Sequence, residues 1–136
     1  MRSVLILCTG NSCRSVMAEA LVNHLSEGRL KAQSAGSNPT GFVHPRSLET
    51  LQRHGIVHHN SRSKSWDEFS DQTFDTVITV CDQAASESCP LFLGQSEKLH
   101  WSIPDPAKAE GTEDEINRAF DTVFQVLKTR IEKELL

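Results

Sequence analysis

The stretch VLILCTGNSCRSVMAEAL, residues 4–21, changes period in its middle. Val4 to Leu7 is a continuous apolar run, the pattern of a parallel strand covered on both faces. From Ser15 the apolar residues Val16, Met17, Ala20, Leu21, Val22 and Leu25 recur at helical spacing until Gly28 supplies a stop signal. Cys8 to Ser15 therefore lie where a strand hands over to a helix. Backbone N–H groups lack partners at such a junction and the helix dipole is positive there, so the loop is predicted to cradle an anion. Thr9, Gly10, Asn11, Ser12, Cys13, Arg14 and Ser15 supply its amides. Gly10 allows tight curvature, and Arg14 offers a planar fork matched to a tetrahedral oxyanion. Cys8, in the same field, is expected to be largely thiolate, with Ser15 donating a hydrogen bond to its sulfur. A strand-end cysteine with only a packing role is the competing reading, and Arg14 six residues further on argues against it.

Working outward, strand and helix signals alternate without repeats or linkers. Leu30 to Ser34 reads as a short second strand, and Pro45 opens a helix carrying Leu48 and Leu51 with Gly55 as its C-terminal stop. Ser65 to Phe69 suggests a helical turn, Asp75 to Val80 a β-branched third strand, and Lys98 to Ile103 a weaker fourth. Thr112 to Leu136 is the clearest helix, opened by a Thr112/Glu115 capping box and carrying Ile116, Ala119, Phe120, Val123, Val126, Leu127 and Ile131 on one stripe. Strands separated by helices imply one α/β domain over residues 1–136, a small doubly wound four-stranded parallel sheet flanked by helices. Ligands bind such sheets at the carboxyl ends of their strands, which is where Cys8, Cys81 and Asp105 fall.

The formal net charge of -4 over 136 residues gives no global attraction for nucleic acid or an anionic membrane surface, so an anion must be held locally. The apolar run ending at Cys8 is shorter than a signal-peptide core or a membrane span, and a cytoplasmic location is expected. There the four cysteines, Cys8, Cys13, Cys81 and Cys89, should be mostly reduced, favouring catalytic or redox roles over structural disulfides. Their spacings lack the tight knuckle of a zinc site, and no metal is expected among them. Cys13 is expected to pack, His58 and His59 to lie on a polar surface, and His44, before Pro45, to be structural.

CTGNSCRS followed by MAEAL resembles the active-site loop of low-molecular-weight protein tyrosine phosphatases and of the arsenate reductases that share their fold, with its flavodoxin-like topology. The resemblance extends in order along nearly the whole chain, including Ser34 to Gly36 and the late Asp105–Pro106 dipeptide. It implies Cys8 as nucleophile, Arg14 as oxyanion clamp and Asp105 as general acid. Asn11, Glu19 and Ser34 correspond to positions that hold the loop from behind and that, in some arsenate reductases, contribute to a potassium site.

Two features favour the arsenate reductase branch. Such phosphatases usually follow the Asp–Pro pair with a tyrosine; here Ala107 follows, the chain has no tyrosine, and neither Trp101 nor Phe92 occupies that position. VCDQAASESCP, residues 80–90, resembles the redox segment of thioredoxin-linked arsenate reductases, which implies a Cys8/Cys81/Cys89 thiol–disulfide relay. The expected activity is reduction of arsenate to arsenite in arsenic detoxification, by a monomer with no bound cofactor and with thioredoxin, or else glutaredoxin, as external reductant. Phosphate and sulfate would compete for the cradle. A phosphatase acting on phosphotyrosine or phosphoarginine is the alternative, and a non-catalytic oxyanion-binding regulator a third.

Overall fold

The computed structural model describes residues 2–8, 13–36, 38–56, 63–69, 73–80 and 97–136. Four parallel strands, β1 (Arg2–Leu7), β2 (Leu30–Ala35), β3 (Thr76–Thr79) and β4 (Glu97–His100), form one sheet in the order β2-β1-β3-β4. The three α-helices among the described residues are α1 (Arg14–Leu25), α2 (Pro45–Arg53) and α3 (Glu113–Glu134), joined by 3-10 turns at Trp66–Phe69 and Pro106–Lys108. This is the doubly wound arrangement expected from the alternation of periods, with β1 at the point where strand order reverses.

The side-chain alternation of β1 divides the core. Val4 and Ile6 face the larger cluster, with Met17, Leu21, Trp101, Phe120, Phe124, Leu127 and Ile131, whereas Leu5 and Leu7 face a smaller one with Phe69, Phe74 and Val77. Trp66 packs, half-buried, against the smaller cluster. Each large side chain removed completely from water contributes roughly 1.5–3 kcal/mol, so both faces of β1 help hold this strand at the centre. Helix α1 is apolar on most sides and buried accordingly, from Ser15 through Val22 apart from Glu19.

The other helices are amphipathic, and local chemistry fixes their ends. At α2, the His44 Nδ1 accepts from the Arg46 N–H (3.2 Å) with Pro45 in the first turn. Gly55, at φ 72°, closes it: its N–H donates to the Gln52 carbonyl (3.1 Å) and that of Ile56 to the Leu51 carbonyl (2.9 Å). Helix α3 opens with the expected capping box between Thr112 and Glu115.

The strands differ from the sequence reading at their ends. β1 starts at Arg2 because pairing to Leu30 needs only backbone, and the Ser3 N–H is further held by Asp75 Oδ2 (2.8 Å). β4 stops at His100, although the Trp101 N–H still reaches the Thr79 carbonyl (2.8 Å) and the Ile103 N–H the Val80 carbonyl (3.3 Å). These bonds place the chain leading to Asp105 beside the end of β3. The Val80 N–H donates to the Leu7 carbonyl and the Cys8 N–H to the Ala35 carbonyl, so the ends of β2, β1 and β3 and the chain beyond β4 share one edge.

Candidate active site

Cys8 leaves β1 on that edge and is 4% exposed. Cys13, also buried, is the N-cap residue of α1 and belongs to the larger core cluster, as the packing expectation had it. Ser15 is fully buried. Thr9, Gly10, Asn11 and Ser12, predicted to complete the cradle, lie outside the described residues, as do Cys81, Cys89, His58, His59 and Phe92.

Arg14 is the first residue of α1, and a segment distant in sequence fixes its direction. Its Nη1 donates to the Ile103 carbonyl (2.9 Å) and its Nη2 lies 3.6 Å from Asp105 Oδ2. The Ile103 carbonyl is a site component that sequence reasoning missed, since any residue there offers the same oxygen. Arg14 Nε is buried and has no hydrogen-bond partner among the described residues. A buried guanidinium N–H needs an acceptor, and an oxyanion beside Arg14 would be one. The Asp105 side chain is partly exposed, so the carboxyl beside the clamp is open to solvent.

Glu19 stands in the second turn of α1. Its Oε2 accepts from the Ser34 hydroxyl (2.9 Å), joining two of the residues that the resemblance singled out. Its Oε1 lies 3.9 Å from Lys64 Nζ, and Lys64 is 6% exposed. The ammonium also sits 5.9 Å from the centre of the Phe69 ring. Lys64 was missed at the sequence level because SRSKSW, residues 61–66, reads as a polar loop. Among the described residues no group of three or more His, Cys, Asp or Glu side chains is arranged to hold a metal, and no helix is long and apolar enough to cross a membrane.

Trp101 is 1% exposed and part of the larger core, so it offers no face to a substrate ring.

Residues 3–135 match the family model described as low molecular weight phosphotyrosine protein phosphatase. A protein named arsenate reductase from Halalkalibacterium halodurans is 37% identical over 94% of this chain and 91% of its own length. A solved structure titled as an arsenate reductase in the phosphate binding state superposes with a TM-score of 0.77 at 28% identity, covering 98% of this chain and 95% of that one. A structure titled as a thioredoxin-dependent arsenate reductase from Corynebacterium glutamicum gives a TM-score of 0.65 at 27% identity, over 98% of this chain and 63% of that one.

Proposed function

The chain belongs to the low-molecular-weight phosphotyrosine protein phosphatase family, and we propose that within it this protein is an arsenate reductase that releases arsenite at the expense of an external thiol reductant. The observation that carries the chemistry is Arg14, held by the Ile103 carbonyl and Asp105 beside the end of the Cys8 strand with one guanidinium N–H buried and without an acceptor among the described residues. The names of the curated and structural relatives favour arsenate over a phosphoester. The absence of tyrosine, Ala107 after Asp105–Pro106 and the burial of Trp101 point the same way, because a small inorganic oxyanion needs no aromatic platform.

In this reading arsenate enters the cradle of Thr9–Ser15 amides and the Arg14 guanidinium, which neutralise its charge and present arsenic to Cys8. The Cys8 thiolate forms a sulfur–arsenic bond while Asp105 protonates the departing hydroxyl, which leaves as water. The Cys81 thiolate then attacks Cys8 Sγ. A Cys8–Cys81 disulfide forms, the sulfur–arsenic bond breaks, and its electron pair stays with arsenic, which leaves as arsenite. The Cys89 thiolate next attacks Cys81 Sγ, freeing the Cys8 thiolate and leaving a Cys81–Cys89 disulfide. Thioredoxin is the favoured donor to that disulfide, supported by the thioredoxin-dependent relative. The family match favours one second reading, a phosphatase, which needs only Cys8, Arg14 and Asp105.

The test is arsenate-dependent NADPH oxidation with thioredoxin and its reductase, or glutaredoxin, glutathione and glutathione reductase, supplied separately. Turnover with the thioredoxin system is expected. Absence of arsenate-dependent oxidation with either system, beside rapid hydrolysis of an aryl phosphate, would replace the first reading with the second.

A further inference from the structure

We infer that Lys64 is a built-in cation that supports the oxyanion loop where the resemblance anticipates potassium, so that this chain needs no such ion. A potassium ion is held by oxygen donors with room between them. Here the Glu19 carboxylate is already engaged on both oxygens, by the Ser34 hydroxyl at 2.9 Å and by the Lys64 ammonium at 3.9 Å. A second cation against the same carboxylate would face an ammonium that is almost wholly removed from water, where like charges are poorly screened. The described residues, Glu19, Ser34 and Lys64, therefore do not fit potassium, because Lys64 does its work.

The covalent attachment of this cation gives it a further role. The Lys64 carbonyl accepts from the Gly36 N–H (3.0 Å) and Ser65 bridges to Gly36, so the lysine backbone is tied to the end of β2. Its ammonium is tied to Glu19 on α1. Those two elements hold the site in place: α1 begins with Arg14, and the Ala35 carbonyl at the end of β2 receives the Cys8 N–H. Lys64 thus links the helix that begins with the clamp to the strand whose end receives the Cys8 N–H, which makes it a positioning residue. It also neutralises a carboxylate that would otherwise place negative charge behind a site built for anions. The lysine is tolerated in the interior because the Glu19 carboxylate and the Phe69 ring together replace part of its hydration.

The inference rests on the cradle reading, and two separate measurements test it. The first is the melting temperature of the wild-type protein in potassium chloride, sodium chloride and choline chloride at one ionic strength, which requires no turnover. No potassium-specific rise is expected, and such a rise overturns the inference. The second is steady-state arsenate reduction in the same salts by the wild type, Lys64→Arg and Lys64→Gln. Wild-type KM should agree across the salts to within about twofold, as mass action requires when no ion binds. Lys64→Arg should resemble the wild type. Lys64→Gln, whose amide oxygen can ligate an ion, should raise KM about tenfold or more with a smaller change in kcat. Potassium, and not choline, should reverse that rise. A Lys64→Gln enzyme with wild-type KM, or one whose defect ignores potassium, overturns the inference. Should the chain not reduce arsenate at all, turnover would be missing in every salt while the melting comparison still gave its answer.

Discussion

Lys64 and Glu19 approach to 3.9 Å with side chains 6% and 15% exposed, whereas Arg53 and Asp121, between α2 and α3, meet at 2.7 Å with side chains 38% and 40% exposed. The shorter contact is the less consequential one. Arg53 and Asp121 can exchange each other for water at little cost, and exposed pairs of this kind are worth about 0–1 kcal/mol. Lys64 has almost no water to fall back on, so the loss of the Glu19 carboxylate beside it is poorly compensated by solvent. The contrast extends to the two regions. The α2–α3 seam is laced with exposed polar contacts, Arg46 to Glu113 and Asn117 and Arg53 and His54 to Asp121, and it locates one helix against another. Among the described residues, the carboxyl edge of the sheet carries more buried charges, Arg14 with Asp105 and Glu19 with Lys64. Burial, more than distance, separates a contact that sets geometry for chemistry from one that trims stability.

Substitutions at the edge should sharpen that contrast most. Cys8→Ser is expected to abolish arsenate reduction while circular dichroism shows the fold retained, and activity near wild type would remove Cys8 as nucleophile. Arg14→Lys keeps the charge but loses the fork that holds the Ile103 carbonyl and that the proposed site needs for its oxyanion, and kcat/KM for arsenate should fall by about 10²–10³. Cys89→Ser should release about one arsenite per enzyme and then stop, joined as Cys8–Cys81, since that count follows from the exchange order. Rapid-quench arsenite measurement and peptide mass spectrometry read both features, and sustained turnover by this variant would leave a two-cysteine mechanism.

The seam supplies the smallest effect. Burial would raise the Asp121 pKa, but the hydrogen bonds and charges of Arg53 and His54 outweigh it and hold the carboxyl below its ordinary value of 3.8. A depressed carboxylate contributes stability that is complete above the unfolded-state value and is lost as pH falls through the folded one. Asp121→Asn should therefore cost less than about 1 kcal/mol at neutral pH. It should also flatten the acid limb of the stability profile below about pH 4 and leave kcat/KM unchanged, as denaturant titrations and steady-state assays would show. A large loss of turnover would break the division between the two regions.

Much of this was legible because it is local. The strand-to-helix change at Cys8, the Thr112/Glu115 box and the Gly55 stop each depend on neighbours a few residues apart, and the structure contains all three. That Cys8 and the chain leading to Asp105 lie on one edge could be read in advance because parallel strands deliver their carboxyl ends to the same side. What escaped depends on contacts between distant segments. Lys64 looks like a solvated loop residue until the fold sets it against Glu19 and Phe69, and the Ile103 carbonyl acquires a role only when Arg14 arrives from the far end of the chain. The end of β4 was misjudged for a related reason: apolar Trp101 and Ile103 read as strand, but they serve the core beyond the last strand residue.

The division of the core by β1 also gives the protein two optical probes. With two tryptophans and no tyrosine, its near-ultraviolet emission comes essentially from Trp101 in the larger cluster and Trp66 against the smaller. The Trp101 Nε1 is buried with no hydrogen-bond partner among the described residues, so its emission is expected on the blue side, while half-buried Trp66 should emit further to the red. The backbone N–H of Trp101 is bonded to Thr79, two residues before Cys81. Its blue component is thus placed to register changes at the end of β3, and the red component of Trp66 to register loosening of the segment that carries Lys64.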